Sequence, residues 1–330
     1  MVDKQIELAI EQIRTEWKKG DDQRDAGLPL EIPEVKRIDN IVYGPDPKWN
    51  SLDIYLPKNV VGKIPTIINI HGGGWCYGTK ETYQFYGLGL AKRGFAFINP
   101  NYRLAPEAVF PAELDDVNRY IHWVAKHAQE YNLDTNNVFL VGDSAGGQMA
   151  EQYTAILKNP TFRAKFGYQL PELKFRAIAL NSAAVFVLDP GMISGAVKGY
   201  FTDEVLKNKR DLLDTEKYIT ADYLPTYIST ATEDFIRDAS IKFAGFLAEK
   251  GIKHVFKEYG DKEHPRSHVF LINQKDYIAD QANDDEIKFF KQFMGVSRSL
   301  CKKGLLFLHK IKSFQSKSDS NVSLTCPNPR

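Results

Sequence analysis

The chain has 330 residues, 43% hydrophobic and 12% aromatic, with a formal net charge of +1. That composition suits a globular protein of one large or two smaller domains, and the near-zero charge excludes the overall basic field expected of a nucleic-acid binder. No run of about 18 apolar residues is available to span a bilayer, and the first residues lack the apolar core of a secretion signal. Cys76, Cys301 and Cys326 are too sparse and too widely spaced for a disulfide framework or a zinc knuckle, so a reduced, cytoplasmic setting without a bound metal is expected.

Residues 3–19 carry Ile6, Ile10, Ile13 and Trp17 at helical spacing, and Gly20 is expected to end the helix. A helix of this length is marginal alone in water and must pack on something. Two packings stay open at this point: the exterior of the domain, or a cap over an active site. Residues 35–42 and 51–56 predict an antiparallel strand pair around the Gly44–Pro47 turn.

Thr66–Ile70 predicts a strand that runs into His71-Gly-Gly-Gly-Trp75. Three successive glycines destabilise regular structure through their conformational entropy, so they are there for another reason. Such a loop can aim backbone N–H groups at a ligand oxygen, as an oxyanion hole requires. His71 reads as a hydrogen bonder that shapes this loop. A helix over 82–93 with Gly94 at its C-terminus follows, then a buried strand over 95–98 and a helix over 112–131 with Leu114, Val117, Ile121 and Val124 on one face.

Val138–Val141 predicts a buried parallel strand, followed by Gly142-Asp-Ser-Ala-Gly146 and a helix over 148–157. Strand, G-x-S-x-G and helix form a nucleophile elbow, with Ser144 at a tight turn beside a helix N-terminus that favours developing negative charge. Further strands are expected at 175–180, 226–231 and 254–259, and further helices from Asp238 to Lys250 and over 278–294.

Four stretches occur in order: His71-Gly-Gly-Gly-Trp75, Tyr102-Arg-Leu-Ala-Pro-Glu107, Phe110-Pro-Ala-Glu-Leu-Asp-Asp116 and Gly142-Asp-Ser-Ala-Gly-Gly147. Together they resemble the hormone-sensitive-lipase-like group of α/β-hydrolases, a family rich in bacterial carboxylesterases, over roughly residues 35–295. The resemblance implies an α/β fold with a mostly parallel eight-stranded sheet flanked by helices. It also implies a helical cap, here from about residues 1–30 and from the long 190–222 connection. Gly73, Gly74 and Ala145 would then supply the oxyanion-hole N–H groups.

Chain order in this fold places an acid and then a histidine after the serine. Asp234 stands at the family's acid position beyond the 226–231 strand, with Glu233 and Asp238 as rivals. Phe235-Ile236 replaces the family's usual Pro-Leu. His268 in His268-Val-Phe270 matches a His-Gly-Phe pattern with valine for glycine, and His264 is its rival. The catalytic set is therefore Ser144, Asp234 and His268. Trp75 and Asp143 are candidate pocket residues, and core packing explains Trp75 equally well.

The expected activity is hydrolysis of small to medium acyl esters, with a small-molecule ester as partner and no cofactor. An amidase or arylformamidase, or a feruloyl or acetyl-sugar esterase, stays open on the same residues. A binding protein that has lost catalysis is disfavoured because all three triad candidates are present. The family often forms dimers, so a homodimer is carried as an expectation. Residues 1–296 read as a single hydrolase domain. Residues 297–330, with seven Lys/Arg against one Asp, read as a basic, Ser-rich appendage, disordered or foreign to the domain.

Overall fold

A computed structural model of the protein describes residues 3–295. The described residues up to Phe293 form one compact unit. The expected appendage at 297–330 lies outside the described residues.

Eight strands form one sheet in the order β1-β2-β4-β3-β5-β6-β7-β8. They are β1 (Val35–Val42), β2 (Ser51–Pro57), β3 (Ile64–Ile70), β4 (Ala96–Pro100), β5 (Leu133–Asp143), β6 (Phe175–Asn181), β7 (Thr226–Ala231) and β8 (His254–Tyr259). Only β2 runs against its neighbours; from β4 onward every pairing is parallel. The central strands are buried on both faces, so they read as unbroken apolar runs. Their side chains still alternate: Ile68, Ile70 and Leu140 enter one core, while Ile67, Phe139 and Val141 enter the other.

Helices α1 (Lys4–Asp25), α2 (Gln84–Lys92), α3 (Ala112–His127), α4 (Ser144–Lys158) and α5 (Pro160–Phe166) precede the long connection. That connection holds two 3-10 turns, Gly195–Gly199 and Thr215–Tyr218, and the short helices α6 (Asp203–Asn208) and α7 (Arg210–Leu213). Helix α8 (Arg237–Glu249), a third 3-10 turn at Phe270–Ile272 and helix α9 (Tyr277–Gln292) complete the chain's regular structure among the described residues. One core is built with α3, α4 and α8, the other with α2 and α9. The chain therefore has the expected α/β-hydrolase architecture.

Several boundaries differ from the sequence reading. Gly20 does not end α1, which continues to Asp25. A single glycine costs a helix only about 1 kcal/mol, and here Arg24 adds ion pairs to Asp21 and Asp25, both 2.6 Å, in the final turn. Helix α3 stops at His127 rather than 131. Helix α4 begins at Ser144 itself rather than at residue 148, because the elbow turns straight into helix. Helix α8 begins at Arg237, with Ile236 in the cap position and Asp238 inside the first turn.

Helix α1 is fixed at its middle. Ile10 is fully buried against Gly199, where an added Cβ would lie 2.7 Å from its Cδ1. The Arg14 guanidinium donates to the carbonyls of Cys76 and Ala105, both at 2.8 Å, and to the Glu107 carboxylate. One helix thus touches the 190–222 connection, the loop after β3 and the loop after β4.

Candidate active site

The site gathers at the C-terminal ends of β3, β5, β7 and β8, where ligands bind in open parallel sheets. Strand β3 leads into His71, a fully buried ring stacked on Tyr102 with centroids 4.0 Å apart. Its Nδ1 lies 2.8 Å from the Gly72 carbonyl oxygen and donates to it. Burial pushes the His71 pKa down to about 4, so the ring is neutral near pH 7 and holds the loop rather than moving protons.

Gly73 has φ +122°, and a Cβ there would fall 2.0 Å from the Tyr77 carbonyl oxygen. No side chain fits that position. The Gly73 carbonyl accepts from the N–H groups of Cys76 and Tyr77 at 3.1 and 2.9 Å, which curls the loop back on itself. Gly72 donates to the Tyr83 hydroxyl at 2.9 Å and to Asp143 Oδ1 at 3.1 Å. Among the described residues, the N–H groups of Gly73, Gly74 and Ala145 have no hydrogen-bond partner.

Asp143 precedes the serine and is buried. Tyr83 donates to its Oδ2 at 2.7 Å. Burial pushes its pKa up to about 6, against the opposing pull of the Tyr83 hydroxyl, the His268 charge and the Gly72 N–H. Asp143 lines the cavity as expected of a pocket residue, and it also braces the glycine loop.

Ser144 sits at φ 49°, the left-handed region, at the start of α4. Gly146 lets α4 press against β3: a Cβ there would meet the Ile70 carbonyl oxygen at 2.0 Å. Ser144 Oγ is 2.9 Å from His268 Nε2, and His268 Nδ1 is 2.8 Å from Asp234 Oδ1. Asp234 also accepts from the Thr230 hydroxyl and from the Ile236 N–H, each at 3.0 Å. Burial would raise the Asp234 pKa, but the His268 hydrogen bond and charge, the Ser182 hydroxyl and the Ile236 N–H outweigh it and hold the carboxyl below its ordinary value.

The rivals lie elsewhere. His264 is exposed and faces Asp261 at 3.5 Å. Glu233 and Asp238 are exposed. Val269, the valine standing for glycine, adopts φ 50° and ψ 31°, the left-handed conformation that glycine takes at least cost.

A cavity of about 1040 Å³ opens over Ser144 and His268. Ile13 and Trp17 of α1 line it, as do Met192 and Val197 of the 190–222 connection. Gly73, Gly74, Trp75 and Asp143 are in its wall. Trp75 is also core: it packs edge-on against Phe201 at 4.8 Å and is 3% exposed. Cys76 is buried, and burial pushes its thiol up to about 12, which leaves it unreactive.

Residues 52–184 match the family model described as BD-FAE. The chain is 27% identical to carboxylesterase NlhH of Mycobacterium tuberculosis over 240 residues, covering 69% of this chain and 75% of that protein. It is 28% identical over 208 residues to a putative α/β hydrolase of Acanthamoeba polyphaga mimivirus, covering 60% of each. The chain thus spans about 60% of the length of that viral relative. A phosphonate-inhibited esterase B from Lactobacillus Rhamnosis shares the fold with TM-score 0.79 at 23% identity, covering 88% of this chain and 96% of that one.

Over the matched stretch the chain resembles the hormone-sensitive-lipase-like α/β-hydrolases.

In this hydrolase the structure brings Ser144, His268 and Asp234 into one hydrogen-bonded line, and it places Gly73 and Gly74 in the wall of the cavity beside Ser144, with Ala145 following the serine in α4. Sequence reasoning did not find Tyr83 or Ser182. Tyr83 lies outside every motif, and its bonds to Asp143 and Gly72 reveal its place. Ser182 accepts from the Val269 N–H at 3.4 Å and so ties the turn after β6 to the histidine loop. Phe235 was visible only as a departure from the family's pattern. Its ring lies 4.3 Å from the His268 ring in the cavity wall.

Proposed function

We propose that this hydrolase is a serine carboxylesterase whose catalytic residues are Ser144, His268 and Asp234. The observation that carries the reading is the line of two hydrogen bonds, 2.9 and 2.8 Å, from Ser144 Oγ through the imidazole to Asp234, with its serine end opening into a cavity.

His268 Nε2 accepts the Ser144 proton as Oγ attacks the ester carbonyl. Asp234 fixes the tautomer with the proton on Nδ1 and stabilises the imidazolium that forms. The negative charge on the former carbonyl oxygen is met by the free N–H groups of Gly73, Gly74 and Ala145. The imidazolium returns its proton to the departing alcohol oxygen, leaving an acyl-serine. Water, deprotonated by the same imidazole, then releases the acid and restores Ser144.

The cavity, walled by α1 and residues 191–197, has room for small to medium acyl esters. We read those two segments as the cap. Labelling with a fluorophosphonate followed by peptide mapping tests the nucleophile: modification of Ser144 alone is expected, and undiminished labelling of Ser144→Ala would overturn the assignment. A panel of p-nitrophenyl esters beside aryl formamides and simple amides tests the reaction class. Fast amide turnover with negligible ester turnover would replace esterase by amidase.

A further inference from the structure

Phe235 is 78% exposed, yet its position is closely held. It follows Asp234, whose Oδ1 accepts from both the His268 ring and the Ile236 N–H and whose Oδ2 accepts from the Thr230 hydroxyl. The backbone from 234 to 236 is therefore pinned around the carboxylate. The phenyl ring inherits a fixed place beside the imidazole, with centroids 4.3 Å apart and planes inclined by 50°.

Core packing does not account for a ring that is mostly in solvent. The chemistry of the neighbouring imidazole supplies a use. In acylation, His268 Nε2 must hand its proton to the leaving oxygen, so that oxygen comes within hydrogen-bond distance of Nε2. The first atoms of the alcohol group then pass next to the ring beside the imidazole. The acyl group leaves the carbonyl carbon on a different side and stays bonded to Ser144 after the alcohol has gone.

We propose that Phe235 is a specificity-determining residue for the alcohol half of the substrate, and that this hydrolase favours esters of aromatic or bulky apolar alcohols. Ring-on-ring contact at the lip desolvates Phe235 and the alcohol together. That contact is present in acylation and absent in deacylation. The proposal rests on the serine-esterase reading above.

The test compares benzyl butyrate with methyl butyrate, two esters whose alcohols have similar acidity, so that leaving-group reactivity does not dominate. Wild-type enzyme is expected to show a higher kcat/KM for the benzyl ester. Phe235→Ala should lower kcat/KM for the benzyl ester by about five- to tenfold and leave the methyl ester within about twofold. Phe235→Leu should fall between, and the rate of breakdown of the butyryl-enzyme should be the same in all three.

An equal loss on both esters, or a displaced acid limb of the pH–rate profile in Phe235→Ala, would mean that the ring acts on the imidazole and would overturn the proposal. Absence of a benzyl preference in wild type would overturn it too. Hydrolysis of both esters that survives Ser144→Ala would instead sink the esterase reading itself.

Discussion

The two halves of the candidate site are held by different means. The serine half is backbone against backbone. Gly146 brings α4 onto the end of β3, and Gly73 turns the loop against Tyr77, each with no room for a Cβ. The acid–base half is held by side chains. Thr230 and Ser182 steady Asp234 and the histidine loop, and Val269 holds a left-handed conformation without being glycine. Steric contact sets the first half once the glycines are in place, whereas the second depends on partners distant in sequence.

Substitutions can break or sharpen that contrast. The largest effect should come from Ser144→Ala, which removes the proposed nucleophile and leaves the fold intact. A fall in kcat of about 10⁶ is expected, read by ester hydrolysis beside an unchanged circular dichroism spectrum. Asp234→Asn keeps the shape of the acid–base half but favours the wrong imidazole tautomer. Its kcat should fall about 10⁴-fold with KM little changed, and a loss under tenfold would remove Asp234 from the proposed mechanism. Gly73→Ala must displace the loop from Tyr77, so kcat should fall by about 10²–10³ through misaligned N–H donors.

A pH experiment probes the support of the acid–base half. Glu286 on α9 is fully buried, accepts from Tyr86 at 3.0 Å and from Asn181 at 2.7 Å, and thereby steadies the residue before Ser182. Burial pushes its pKa up from an ordinary 4.5 to about 7, despite those two hydrogen bonds. The folded state thus favours the protonated form. Its contribution to stability is complete below pH 4.5 and is lost as pH rises through about 7. Asp143 shifts in the same direction. Urea unfolding of Glu286→Gln should show a flatter pH dependence than wild type, by about 3 kcal/mol across that window. The smallest effect is expected from Val269→Gly. Relief of the left-handed strain should raise stability by about 0.5–1 kcal/mol with activity retained, and a lowered melting temperature would show that the valine side chain matters more than the strain.

The contrast also explains what the sequence could disclose. Ser144, the glycine loop and the strands β3 and β5 were legible because apolar runs and tight glycine spacing leave few alternative structures. Asp234 and His268 were narrowed by chain order and family resemblance, and the rivals Glu233, Asp238 and His264 are exposed in the folded chain. The extension of α1 past Gly20 depended on ion pairs between Arg24 and two aspartates, which no periodicity encodes. Tyr83 and Ser182 act through hydrogen bonds that include partners 60 and 87 positions away, so neither leaves a local pattern.

Helix α1 has a consequence for how the chain is made. Its buried anchor, Ile10, rests on Gly199, and about 170 residues separate the end of the helix from that turn. At about 5–20 residues per second, a ribosome delivers that stretch in roughly 10–30 seconds. Throughout that interval Ile10 of the emerging helix lacks its platform, and alone the helix is marginally stable. The wall of the cavity that is translated first is therefore the one that must settle late, after the sheet beneath it has assembled.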